Sequence, residues 1–132
     1  MKRFLLNKLV RDNIVETCLD MGGKPSYRVL SKDELFQALK NKIQEEALEI
    51  AEAEDQENLL EEIADVQEVL LEIMKVSGIS QENVILRMKE KNQVKGAFSK
   101  AHYIDYVDLP GDCEMAQYCM CFPNKYPEKK DK

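Results

Sequence analysis

The sequence predicts an all-α protein, a helical hairpin or bundle with short extra helices and an irregular C-terminal tail. Three observations predict it. Apolar residues recur at three- and four-residue spacing along two long stretches. Capping residues and glycines bracket those stretches. The strand-like segment Tyr27-Arg28-Val29-Leu30 is too short to found a sheet alone.

Each element has its own local signal. Arg11 to Met21 carries a short helical pattern closed by Gly22-Gly23, glycine being the usual residue past a helix end. Tyr27 to Leu30 follows Pro25 and reads as extended. Ser31 and Glu34 have capping-box spacing and open a long helix running to around Ala53. Asp55 to Asn58 is a polar break. A second long helix runs from Leu59 to Val76 and stops at Ser77-Gly78. Ser80 caps a third, reaching Lys95-Gly96. Beyond Ile104 the pattern dissolves into Pro110-Gly111 and scattered cysteines, and Asn124 to Lys132 is expected to be disordered. The expected organisation is one domain over 1–104 and an irregular, partly disordered extension over 105–132.

At 132 residues, with 44% hydrophobic and 33% charged residues, the chain has material for one core and is not disordered by composition. No apolar run approaches the roughly 20 residues of a membrane span, so no membrane partner is expected. The apolar stretch Phe4-Leu5-Leu6 ends at Asn7-Lys8, too early for a signal peptide. A cytoplasmic location is expected, and Cys18, Cys113, Cys119 and Cys121 are then reduced thiols. Zinc held by the three later cysteines and His102 lacks two CxxC-type pairs.

Charge is unevenly placed. Ile43 to Met74 holds 12 acidic residues and no Lys or Arg, within a chain of net charge −6. That balance makes the chain a poor candidate for sequence-independent duplex binding, which depends on a broad cationic surface, so no nucleic-acid partner is expected. It suits a centre for divalent cations with bases around it.

Counting 100° per residue places the acids. On the first long helix Leu35, Leu39, Ile43, Ala47 and Ile50 form an apolar arc, with Glu46 inside it and Glu49 at its edge. On the second, Leu59, Ile63, Val66, Leu70, Ile73 and Met74 form the arc, with Glu62 within it and Asp65 bordering it. Glu61, Glu68 and Glu72 point to solvent. The short connection implies antiparallel helices, so four carboxylates converge. Together they repel unless neutralised, and Mg²⁺ with oxygen ligands does so. A di-iron bundle wants Glu-x-x-His on two helices, whereas the sole histidine, His102, lies outside both.

Glu45-Glu46-Ala47-Leu48-Glu49, then twelve residues, then Glu62-Ile63-Ala64-Asp65 resembles the EExxE…ExxD signature of the MazG-like all-α nucleoside triphosphate pyrophosphohydrolases. That superfamily includes phosphoribosyl-ATP pyrophosphohydrolase and dimeric dUTPases. Asn7-Lys8-Leu9-Val10-Arg11-Asp12, Tyr27 to Leu30 and Lys95-Gly96-Ala97-Phe98 are similar to its house-cleaning branch, extending the resemblance over residues 4–104.

The resemblance implies that Glu46, Glu49, Glu62 and Asp65 hold Mg²⁺, with Mn²⁺ able to substitute. Glu45 matches the remaining motif acid, which positions or deprotonates the attacking water or helps a further cation. The implied reaction is hydrolysis at the α-phosphorus, giving a nucleoside monophosphate and pyrophosphate. Lys8, Arg11 and Asp12 become candidates for phosphate or nucleotide contacts on the resemblance alone. Lys42, one turn before the acids, either pairs with Glu46 or reaches a phosphate. Lys91 and Lys95 share a face with Val84 and Met88, and either receive pyrophosphate or complement the helix dipole. Phosphoribosyl-ATP and dUTP are alternative substrates, the N-terminal segment favouring house-cleaning. The rival class is a non-catalytic acidic module that binds a basic protein. A hairpin with short companions leaves apolar surface bare, so a homodimer or homotetramer is expected.

Overall fold

The computed structural model describes residues 1–130 and is all-helical, with no strand among the described residues. The helices are α1 (Ile14–Asp20), α2 (Lys32–Glu52), α3 (Gln56–Ser77), α4 (Gln81–Lys95) and α5 (Glu114–Cys121). The chain divides into two compact units, Met1–Val94 and Lys95–Lys132. No helix among the described residues is long and apolar enough to cross a membrane.

In the first unit, α1 occupies only the middle of the Arg11–Met21 pattern, and Gly22 follows it at φ 78°. Tyr27 to Leu30, expected to be extended, carries no regular structure and forms no strand. The capping box at the start of α2 is complete: Glu34 N–H donates to Ser31 Oγ at 3.3 Å, and Ser31 N–H donates to Glu34 Oε1 at 3.3 Å.

The polar break is shorter than the sequence suggests. Asp55 caps α3, accepting from Asn58 N–H at 2.7 Å, so α3 starts at Gln56 rather than Leu59. It ends at Gly78, whose φ of 72° is the left-handed cap that glycine adopts without a Cβ clash. Ser80 accepts from Asn83 N–H at 3.1 Å and opens α4.

α2 and α3 pack as an antiparallel pair, Lys32, Asp33 and Phe36 of one helix lying beside Val76 and Ser77 of the other. Leu39 and Val69 are its buried apolar side chains, while Leu35, Ile43, Ile50, Val66 and Ile73 are half-buried. The inward face of α3 is rotated from the expected arc. Val69 is buried, Glu72 is half-buried rather than solvated, and Leu59, Ile63 and Leu70 are exposed. Ala47 on α2 is exposed as well. Both differences have one cause: among the described residues α2 alone packs extensively on α3, so one narrow stripe is covered and the rest of each apolar arc is bare.

In the second unit the expected irregular tail contains α5. Cys113 caps it, its sulfur accepting from Ala116 N–H at 3.4 Å, and Gln117 Nε2 donates to the Gly111 carbonyl at 2.8 Å. Tyr118 lies against Phe122 and Tyr126, ring centroids 5.1 and 6.0 Å away. The Lys125 and Tyr126 N–H groups both donate to the Phe122 carbonyl, which makes a turn at the start of the Asn124–Lys132 run. Asp131 and Lys132, the end of that run, lie outside the described residues. The four cysteines form no disulfide.

Candidate metal centre

Residues three and four apart share a helix face, so α2 lines up Lys42, Glu45, Glu46 and Glu49 while α3 lines up Asn58, Glu62 and Asp65. Pairing the helices brings the two rows together. One carboxylate oxygen from each of Glu46, Glu49, Glu62 and Asp65 lies within 4.8 Å of the other three.

The surroundings of these carboxylates differ. Glu46 is 6% exposed, and its Oε2 is buried with no hydrogen-bond partner. Glu62 Oε2 is likewise buried and unpartnered, while its Oε1 accepts from Asn58 Nδ2 at 3.3 Å. Asp65 Oδ1 accepts from Arg11 Nη2 at 2.6 Å, a contact between side chains 54 positions apart. Lys42 Nζ lies 3.1 Å from Glu45 Oε2 and 3.5 Å from Glu46 Oε1.

Magnitudes decide what this arrangement needs. Two like charges 4.8 Å apart repel by on the order of 3 kcal/mol at an effective dielectric of about 20. The side chains of the Arg11–Asp65 pair are 60% and 36% exposed, and such a pair contributes only about 0–1 kcal/mol. Lys42 is better placed at 17% exposed, but its nearer partner is Glu45. Two cations therefore undercompensate four converging anions.

The titration of Glu46 reports the imbalance. Burial pushes its carboxyl above the usual value of 4.5, the adjoining Glu49 carboxyl and the charge of Asp65 add to the push, and Lys42 opposes it. Burial alone lowers the pKa of Lys42. The hydrogen bond to Glu45 and the fields of Glu45 and Glu46 outweigh it, so the ammonium is held above 10.5.

Unpartnered buried carboxylate oxygens are costly, and a hard cation satisfies them. Opposite oxygens of an octahedral Mg²⁺ site stand about 4.2 Å apart. The observed limit of 4.8 Å needs only small side-chain adjustment, so the donor set fits such an ion.

The sequence candidates separate by position. Glu46, Glu49, Glu62 and Asp65 form the cluster. Glu45 and Lys42 adjoin it on α2, and Arg11 reaches it from the segment ahead of α1. Lys8, Asp12 and Lys91 are exposed and make no ion pair with the cluster among the described residues. Lys95 belongs to the second unit. Asn58 was not among the candidates. Its spacing one turn before Glu62 is the signal that identifies it, since a side-chain amide there can steer the carboxylate.

A family model described as phosphoribosyl-ATP pyrophosphohydrolase matches residues 24–92, about half of the chain. The match includes Lys42, Glu45, all four clustered carboxylates and Lys91. Lys8, Arg11, Asp12 and Lys95 lie outside it. No curated protein and no solved structure matches the chain.

Proposed function

This chain belongs to the phosphoribosyl-ATP pyrophosphohydrolase family, within the MazG-like all-α superfamily, and we propose from that membership that it cleaves a nucleoside triphosphate between the α- and β-phosphates. Members of the family are hydrolases acting on the phosphoric anhydrides of nucleotides. The single observation that carries the finer reading is the pair of buried, unpartnered oxygens on Glu46 and Glu62 inside the four-carboxylate cluster. An acidic module built to bind a basic protein has no use for carboxylates turned inward.

Glu46, Glu49, Glu62 and Asp65 are the residues that would hold Mg²⁺, or Mn²⁺ in its place. The ion supplies positive charge against the phosphoryl oxygens and acidifies bound water. Glu45 is 40% exposed beside the cluster and is the proposed acceptor for the proton of the attacking water. Water oxygen bonds to the α-phosphorus, the bond from it to the bridging oxygen breaks, and pyrophosphate departs with that oxygen. Lys42, held charged next to Glu45 and Glu46, offsets negative charge as the phosphates arrive.

House-cleaning of non-standard nucleoside triphosphates is the proposed role, supported by the segment Asn7 to Asp12 and its contact with the cluster through Arg11. Phosphoribosyl-ATP itself is the competing substrate that the matched family suggests. The test is pyrophosphate release from a panel of standard and modified nucleoside triphosphates and phosphoribosyl-ATP, with Mg²⁺ or with EDTA. Pyrophosphate and monophosphate appear in equal amounts with Mg²⁺ and neither appears with EDTA. Silence across the whole panel with Mg²⁺ and Mn²⁺ refutes the proposal.

Self-association is proposed alongside it. Leu59, Leu60, Ile63, Leu70 and Leu71 stand exposed on α3, and large apolar side chains gathered on one helix suit contact with a second copy. Light scattering should return a dimer or tetramer mass, and a strictly monomeric mass at micromolar concentration rules this out.

A further inference from the structure

Among the described residues, Arg11–Asp65 is the only side-chain hydrogen bond or ion pair that joins residues distant in sequence. It ties an irregular segment, ahead of the first turn of α1, to a member of the carboxylate cluster. Two facts make the tie conditional. The Arg11 side chain is 60% exposed, and among the described residues its guanidinium bonds to Asp65 Oδ1 alone, leaving most of its five N–H donors for another acceptor. The carboxylates around Asp65 are short of positive charge: Glu46 and Glu62 each keep a buried oxygen with no hydrogen-bond partner, within a cluster whose oxygens lie within 4.8 Å of one another.

We propose that Arg11 is a placeholder counter-ion for the carboxylate cluster, a cation that gives up Asp65 when a divalent ion binds and then presents its freed guanidinium to the phosphates of the nucleotide. The inference rests on reading the four carboxylates as metal ligands. Its physical basis is competition for one carboxylate. An exposed ion pair is weak, whereas a divalent ion engages several oxygens at once, so the exchange runs toward the metal. A guanidinium released beside the ion is repelled by it and attracted to a polyphosphate, whose oxygens its planar fork matches. The exchange makes binding ordered, metal first and nucleotide second, and makes Arg11 a substrate-binding residue rather than a metal ligand.

The test is Mn²⁺ binding by the full chain without nucleotide, read from the loss of the free-Mn²⁺ electron paramagnetic resonance signal. Removing the competitor in Arg11→Gln tightens Mn²⁺ binding about two- to fivefold at low salt, the worth of an exposed ion pair expressed as affinity. Arg11→Lys keeps the charge and stays within about twofold of the wild type. The gap between wild type and Arg11→Gln closes in 1 M salt, where a Debye length of roughly 3 Å screens the pair. In turnover assays Arg11→Gln raises KM for the nucleotide more than it lowers kcat, although it binds the ion better. Equal or weaker Mn²⁺ binding by Arg11→Gln overturns the placeholder role and leaves the metal reading intact. Failure of the wild type to bind Mn²⁺ overturns both.

Discussion

Glu62→Gln abolishes magnesium-dependent pyrophosphate release while the helical hairpin stays folded, and Asp65→Asn does the same. Both changes keep side-chain size and remove one negative oxygen donor. Residues that merely orient a metal ligand typically cost 10–100-fold when lost, so deletion of a ligand charge should exceed about 100-fold. The fold is spared because neither side chain belongs to the apolar stripe of Leu39, Val66, Val69 and Ile73. Glu62 holds one partner, Asn58 Nδ2, whose bond to Oε1 an amide oxygen can also accept. Asp65 loses part of its bond to Arg11, a contact worth too little to unfold the pair. Glu61→Gln, one position away and exposed, serves as the control and retains full activity. Turnover within tenfold of wild type in both ligand variants, with melting temperatures unchanged, removes these residues from the site.

Glu46→Gln stabilises the metal-free protein and eliminates its activity in the same step. Ionised Glu46 is desolvated, faces Glu49 and Asp65, and has one oxygen with no partner. Replacing the charge by a neutral amide removes that repulsion and desolvation, and Lys42, which gives up Glu46 Oε1 at 3.5 Å, keeps Glu45 Oε2 at 3.1 Å, so the net gain is about 1–2 kcal/mol. For a chain of this size that is a rise of roughly 4–8 °C in melting temperature. Stability gained by neutralising a functional charge at the expense of activity is a familiar trade. The pH dependence has a definite sign. The folded carboxyl titrates above the unfolded value of 4.5, so the folded state binds more protons between those two points. Metal-free wild type therefore loses stability as pH rises from 4.5 through the folded pKa, and Glu46→Gln lacks that loss. Saturating Mg²⁺ reverses the order, because a ligand bound only by the folded state raises apparent stability in the wild type alone. A metal-free melting temperature for Glu46→Gln below that of wild type at pH 7 contradicts this account of the cluster.

Much of this arrangement is legible in one dimension because its causes are local. Ser31 with Glu34, and Gly78 after Ser77, mark their helix ends through bonds and dihedrals that span four residues. The spacing of Glu46 to Glu49 and of Glu62 to Asp65 puts each pair on one helix face whatever the rest of the chain does. A short connection then leaves the two faces opposite one another. The convergence of those four side chains needs only helical geometry and a tight turn.

Other features depend on partners that helical counting does not see. Asp55 reads as part of a break until its carboxylate is found on Asn58 N–H. Cys113 is no usual cap, and only its sulfur's contact with Ala116 N–H shows why a helix begins beyond it. Leu59, Ile63 and Leu70 share an arc with the half-buried Val66, Ile73 and Met74, yet they are exposed and the narrow contact with α2 buries Val69 instead.

By itself the sequence determined the helices from α1 to α4, the ends marked by Ser31, Gly78 and Ser80, and the common direction of four acids, since propensity and 3.6-residue periodicity act within a few turns. Only the tertiary structure decided which oxygens of those acids lose water, which stripe of α3 is covered, and that Arg11 meets Asp65. Desolvation and an ion pair across 54 positions depend on distances through space, and chain order does not encode those distances.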